Sequence, residues 1–142
     1  MDQAVQQLFD RYERCFNQAL KNRLDLDAIS DLYADVFVAS SPLGIATGKN
    51  DDELKNVLIQ AFEHYRNLGT KHMEVRNVRV TPIDELHAIA HVDWRGSYEA
   101  GGGTKVIDFA NVYLVRLEGH NGKVFGWITG DENAELRKHG IA

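Results

Sequence analysis

The sequence predicts an α+β domain in which helices gathered toward the N-terminus lie on one face of a curved antiparallel β-sheet. Three observations predict it. Apolar residues recur at three- and four-residue spacing as far as Tyr65, the period drops to two after Gly69, and glycine- and asparagine-rich turns join the later segments as hairpins. Helices grouped ahead of an antiparallel run, instead of alternating with strands, mark this class. A chain of 142 residues is one domain long. A chain of that size buries about 68–70% of its unfolded surface, so one self-sufficient core spanning 1–142 is expected.

Val5, Leu8, Phe9, Tyr12, Phe16, Ala19 and Leu20 draw one stripe along a first helix, whose other face is Gln, Asp, Arg and Glu. Asp25 is the expected N-cap of a short second helix, with Ile29, Leu32 and Tyr33 on one side. Val36-Phe37-Val38-Ala39-Ser40-Ser41 reads as a short strand, closed by a turn at Pro42-Leu43-Gly44, and a loop is expected from there to Gly48. Asn50-Asp51-Asp52-Glu53 resembles a capping box with Asn50 as the N-cap. It opens a third helix with the stripe Leu54, Val57, Leu58, Ala61, Phe62 and Tyr65, which Gly69 ends in a left-handed conformation. Between Lys71 and Thr81, Met73 and Val75 point inward before the parity shifts to Val78 and Val80, which predicts a β-bulge near Asn77. Leu86–Tyr98 alternates Ala88, Ala90, Val92 and Trp94 against Ile89, His91, Asp93 and Arg95. Gly101-Gly102-Gly103 turns the chain into a strand over Thr104–Leu117, and Asn121-Gly122 turns it into a last strand, Lys123–Thr129. A polar tail from Asp131 to Ala142 follows.

Composition excludes several classes. Hydrophobic residues at 44% and charged residues at 26% do not fit a disordered, collagen-like or coiled-coil chain. Sixteen Lys+Arg against 21 Asp+Glu, a net charge of −5, argue against a nucleic-acid binder working by phosphate neutralisation. No stretch approaches the ~20 apolar residues that span a bilayer, so no membrane partner is expected. Met1-Asp2-Gln3-Ala4 has neither the charge nor the apolar run of a signal peptide, so the mature chain is expected to start there, in the cytoplasm. Cys15, alone, makes no intrachain disulfide and no thiolate cluster.

Leu24-Asp25-Leu26-Asp27-Ala28-Ile29, Leu32-Tyr33-Ala34-Asp35, Ser41-Pro42-Leu43-Gly44, Gly48 ahead of a helix and Gly122-Lys123-Val124 late in the chain, in this order, resemble the nuclear transport factor 2-like superfamily. The likeness is greatest to its SnoaL-like and ketosteroid isomerase-like branches and covers nearly the whole chain. It implies a cystatin-like cone: three N-terminal helices packed on a curved antiparallel sheet, a pocket at the open end, and a homodimer through the outer sheet face. Carried across residue by residue, the isomerase pattern is mostly missing. Ser41 precedes Pro42 where the isomerases place their aspartate base, and a hydroxyl near its free pKa is no base at neutral pH without a helper. Phe16 takes the place of the oxyanion tyrosine, and only Tyr113, in the place of the oxyanion aspartic acid, keeps a donor. The familial steroid isomerisation is therefore not expected. Trp127-Ile128-Thr129-Gly130-Asp131, with Leu136 and Gly140-Ile141 beyond, is similar to the ending of the SnoaL-like cyclases and puts Asp131 in the place of their acid/base aspartate.

If Trp94 points into the cone, strand alternation sends Phe109, Asn111, Tyr113, Phe125, Trp127 and Thr129 there too, with Asp131 next in line. Aromatic walls with a few convergent polar groups suit a small molecule. The expected catalytic residues are Asp131 as base and Tyr113, which with Asn111 polarises or orients a carbonyl. Phe16, Tyr33, Ser41, Trp94, Asn111, Trp127 and Thr129 are the expected ligand-binding residues. Each has a plainer reading. The rings serve as core, Asp131 caps a segment running to Lys138, Ser41 is a strand-end hydroxyl bonded to backbone, and His91, Asp93 and Arg95 face solvent or a dimer partner instead of a metal. No cofactor and no metal is expected. The function expected is binding of a small, largely apolar molecule, aromatic or polycyclic, with SnoaL-like acid/base chemistry. The alternative is a non-catalytic dimeric interaction or structural domain whose pocket its own side chains fill.

Overall fold

The structure, a computed structural model, describes residues 1–141; the last residue of the expected tail, Ala142, lies outside them. The first apolar stripe forms α1 (Asp2–Leu20), which buries Val5, Leu8, Phe9, Ala19 and Leu20. Asp25 caps α2 (Leu26–Ser30) by accepting the Ala28 N–H at 3.1 Å. The chain continues through β1 (Tyr33–Ser41), β2 (Gly44–Lys49), α3 (Asp52–Asn67), β3 (Thr70–Pro82), β4 (His87–Ala100), β5 (Gly103–Glu118), β6 (Asn121–Ile128) and α4 (Glu132–Lys138). The strands form one curved six-stranded sheet in the order β2-β1-β6-β5-β4-β3. Every neighbouring pair is antiparallel except β1 and β6, which run parallel. No helix among the described residues is long and apolar enough to cross a membrane.

Local expectations differ from the structure at four places. The loop to Gly48 is a strand, β2, exposed along nearly its whole length; it buries nothing and so shows no hydrophobic period. The N-cap of α3 is Asp51, accepting the Glu53 N–H at 3.0 Å, while Asn50 donates from Nδ2 to the carbonyls of Ser30 at 2.7 Å and Tyr33 at 3.1 Å. The second helix stops at Ser30, so Leu32 and Tyr33, expected on its side, lie beyond it, and Tyr33 opens β1. The segment that Asp131 caps in the polar tail is α4, as its plainer reading has it, and Leu136 packs it on Tyr98 and Ile107. The fourth difference is a bulge. The one expected at Asn77 is present, between Val75 and Asn77, but a second sits between Leu114 and Val115 against β6. It shifts the β6 parity, so Val124 and Trp127 both join the core, and Phe125 turns to the outer face with its ring 5.9 Å from that of His87.

The concave face and α1 share the main core, where Val5, Leu8, Val92, Val115 and Val124 are fully buried. The polar face of α1 has its own task. β3 is the last strand of the sheet, and an edge strand leaves backbone groups unpaired. The Asn17 amide fills that gap at Met73, donating Nδ2 to its carbonyl at 2.7 Å and accepting its N–H on Oδ1 at 2.8 Å. Glu13 accepts the N–H of Val75 at the bulge, and Gln6 donates to the Val78 carbonyl at 3.1 Å.

Gly69 joins α3 to β3 at φ 86°, and its carbonyl accepts the Glu99 N–H at 2.8 Å. A Cβ there would run into the Glu99 carbonyl oxygen, so sterics and backbone conformation both demand glycine. Gly69→Ala is expected to lower unfolding free energy by on the order of 2 kcal/mol or more, read from urea melts. An unchanged midpoint would show that the α3–β3 corner tolerates a side chain.

Candidate functional site

Between the helices and the concave face lies a cavity of about 750 Å³. Three groups of rings enclose it. Phe16 packs against Phe62 at 4.8 Å and Tyr65 at 5.4 Å on the helical side. Trp127 stacks on Phe37 at 5.2 Å and meets Tyr33 at 5.5 Å on the β1–β6 side. Tyr12 lies 5.8 Å from Trp94 and 5.7 Å from Tyr113 at the deep end. The side chains therefore line the cone and do not fill it, contrary to the self-filled alternative.

Tyr113 and Asn111 are buried on the strand facing the cavity. The Tyr113 hydroxyl accepts from Trp94 Nε1 at 3.1 Å and from Asn111 Nδ2 at 3.3 Å. A hydroxyl has two lone pairs and one proton. Both lone pairs are engaged, and its proton has no acceptor among the described residues, which makes it a donor held ready at the cavity's deep end. Burial pushes the Tyr113 pKa well up, so the group stays protonated. Beside it the hydroxyls of Tyr12 and Tyr33 share a hydrogen bond of 3.1 Å, and burial raises both of their pKa values too. Tyr12 stands one helical turn before Phe16, so the first helix does bring a phenol to the cavity, at a position sequence reasoning missed. The signal was available: a hydroxyl in the middle of an apolar stripe needs a partner or a purpose.

The other polar end is built by α4. Asp131 borders the cavity, and its Oδ1 caps the helix by accepting the Ala134 N–H at 2.9 Å. The next residue, Glu132, is enclosed by protein on most sides yet open to solvent, because the space before it is the cavity. That enclosure raises its carboxyl pKa. Its charge in turn helps to raise the pKa of Tyr65, Tyr98 and Tyr113, in each of which burial is the largest cause; Tyr98 is pushed up to about 12. Gly96 makes this arrangement possible, because the Tyr98 ring folds back over it, with Cε2 2.7 Å from where a Cβ would stand. The Glu132 signal in the sequence was its spacing of four from Leu136, the residue that anchors α4 to the sheet.

Of the residues named from the sequence, Phe16, Tyr33, Trp94, Asn111, Tyr113, Trp127, Thr129 and Asp131 all border this cavity. Ser41 does not. Its Oγ accepts the Leu43 N–H at 3.2 Å at the end of β1, beside a separate shallow groove, because the Pro42 turn carries it past the rim. Cys15 borders the cavity half-buried, and burial raises its thiol pKa. On the outer face Arg95 holds Asp108 through two bonds of 2.7 and 3.0 Å.

A bent sheet wrapped around helices, with a lined pocket at its open end, is the cone of the nuclear transport factor 2-like proteins. The family described as NTF2-like protein (DUF6841) matches residues 2–132, and the chain belongs to it. Solved structures share the fold at low identity. An NTF2-like protein with a cystatin-like fold from Novosphingobium aromaticivorans is 15% identical, with a TM-score of 0.70 over 99% of this chain and 87% of that one. A ketosteroid isomerase-like protein from Erwinia carotovora atroseptica is 21% identical, with a TM-score of 0.64 over 89% and 92%. The beta subunit of the benzoate 1,2-dioxygenase from Burkholderia mallei is 16% identical, with a TM-score of 0.65 over 93% and 91%. No curated protein matches the sequence.

The raised pKa of Glu132 has a sign that can be tested. The folded state holds its proton more tightly than the unfolded state, so this group's contribution to stability is complete at low pH and is lost as pH rises from the ordinary glutamate range through the folded pKa. Glu132→Gln is expected to match the parent in acid and to exceed it in stability at neutral pH, as read from denaturant melts across pH. A variant less stable than the parent at neutral pH would show that the carboxylate is satisfied where it stands.

Proposed function

We propose that this protein binds a small, largely apolar molecule, aromatic or polycyclic, in the cone, with an acceptor oxygen such as a carbonyl directed at Tyr113. The observation that carries the reading is the pairing of a ring-walled cavity of about 750 Å³ with a buried hydroxyl whose two lone pairs are already used. Rings offer area without demanding polar partners, and the one aligned donor fixes orientation. The likeness to a ring-dioxygenase beta subunit supports the fold in which such a ligand would sit, and nothing more specific. The chemistry that fits the two polar ends is proton transfer of the cyclase or isomerase type on a conjugated ligand long enough to span them. Asp131, which keeps Oδ2 outside the cap, takes a proton from a carbon at the α4 end and returns it to another carbon of the same conjugated system, Tyr113 holds the oxyanion that forms in between, and Asn111 keeps Tyr113 oriented.

A melting-temperature screen with steroids, aromatic polyketides and small aromatic ketones tests the binding. A ligand raises the midpoint by mass action, and Tyr113→Phe is expected to weaken a carbonyl ligand by about tenfold. Full retention of affinity in that variant would move the acceptor elsewhere, and a panel with no shift at all would overturn the reading. For any compound that turns over, an unchanged rate in Asp131→Asn would remove Asp131 as the base.

The outer face carries Val106 and Ile128, each 51% exposed, beside Ala110, Val112 and Leu114, with the Arg95–Asp108 pair among them. An apolar patch with a polar surround is self-complementary across a two-fold axis, and we infer a homodimer through this face. Light scattering at micromolar concentration is expected to give twice the chain mass of 16.0 kDa, and the monomer mass would refute the interface.

A further inference from the structure

The charged groups around the cavity are not balanced. Among the described residues Glu53, Asp131, Glu132 and Glu135 border it, against one cation, Lys49. Asp131 has its cap and Glu135 lies 3.8 Å from Lys138. Glu132 borders the cavity with neither an ion pair nor a hydrogen bond among the described residues.

A second, independent observation lies at the same end. Thr70 is only 3% exposed and borders the cavity, and its Oγ1 has no hydrogen-bond partner. A buried hydroxyl left without a partner is disfavoured unless something from the cavity meets it. The two groups share a neighbourhood. Thr70 pairs with Tyr98 across β3 and β4, and Leu136, four residues after Glu132 on the same face of α4, packs on Tyr98. Tyr65 and Tyr98 both feel the Glu132 charge.

We propose that the cavity takes an aromatic molecule bearing a basic amine, with its ammonium seated between the Glu132 carboxylate, the Thr70 hydroxyl and the rings of Tyr65 and Tyr98. The proposal rests on the binding reading above and adds the charge of the ligand to it. An ammonium is all donor, and this end offers acceptors and aromatic faces. It pairs the Glu132 charge where the cavity meets solvent, in a charge-assisted bond that added salt weakens. A neutral ligand would cover the carboxylate further and return nothing to it, and an anionic one would add repulsion from Asp131, Glu132 and Glu135 together.

Naphthylmethylamine, naphthylmethanol and naphthoate share one ring system and differ in the charge of the substituent. Titrated calorimetrically against the full chain at neutral pH, the amine is expected to bind about tenfold or more tighter than the alcohol, with the carboxylate weakest. Glu132→Gln is expected to weaken the amine about tenfold and to remove its advantage over the alcohol. Alcohol binding at or above the amine's affinity overturns the charge proposal and leaves the binding reading standing. No binding by any of the three overturns both. If Glu132→Gln fails to fold, Thr70→Val provides the second variant, and an amine preference unmoved by it as well as by salt would also overturn the proposal.

Discussion

The cavity exists because α1 is held to the open edge of β3 by side chains, at a fixed distance from the sheet. The apolar stripe of α1 is already buried on the concave face at Val5, Leu8, Phe9 and Ala19, where each buried CH₂ contributes about 0.8 kcal/mol. Asn17 fixes where along β3 that burial happens by pairing both backbone groups of Met73, and Glu13 and Gln6 repeat the attachment at Val75 and Val78. Any slide of α1 would leave those strand groups without partners. The same bonds protect β3 from pairing with another chain's edge, so one set of contacts serves both the shape of the cone and its solubility.

With that spacing set, one physical cause governs the chemistry inside. Rings replace water around each polar group, and desolvation is the first cause of every shift at Tyr12, Tyr33, Tyr65, Tyr98, Tyr113 and Glu132. The deep end answers by internal pairing: Trp94 and Asn111 to Tyr113, and Tyr12 to Tyr33. The α4 end does not, since Glu132 and Thr70 Oγ1 are left without bonds. The deep end is therefore organised to present a proton, and the outer end presents acceptors.

How far the sequence could be read depends on burial. Helices and strands that bury a stripe were legible, including the bulge at Asn77, because Val75 and Val78 break the alternation themselves. β2 was not legible, because an exposed edge strand carries no pattern. The β6 bulge leaves no trace in the sequence pattern, and plain alternation points Phe125 inward when it lies outside with His87. The choice of Asp51 over Asn50 as cap turned on where the Ser30 and Tyr33 carbonyls happen to lie, which is tertiary information. In the site, parity on β4 and β5 was enough for Trp94, Asn111 and Tyr113. Ser41 failed because a residue beside a proline turn is carried by the turn and not by the strand's parity.

The net charge of −5 is a poor guide to this protein, because what distinguishes its acids is which of them have partners. Asp108 and Asp31 sit in ion pairs with Arg95 and Lys123, and Asp25, Asp51 and Asp131 are spent on helix caps. Glu132 has none of these ties, and it is one turn from Leu136, which fastens α4 to Tyr98 and Ile107. Anchor and carboxylate lie on one face of one short helix. A ligand held as proposed at Glu132 would therefore bear directly on the helix that Leu136 fastens to the sheet.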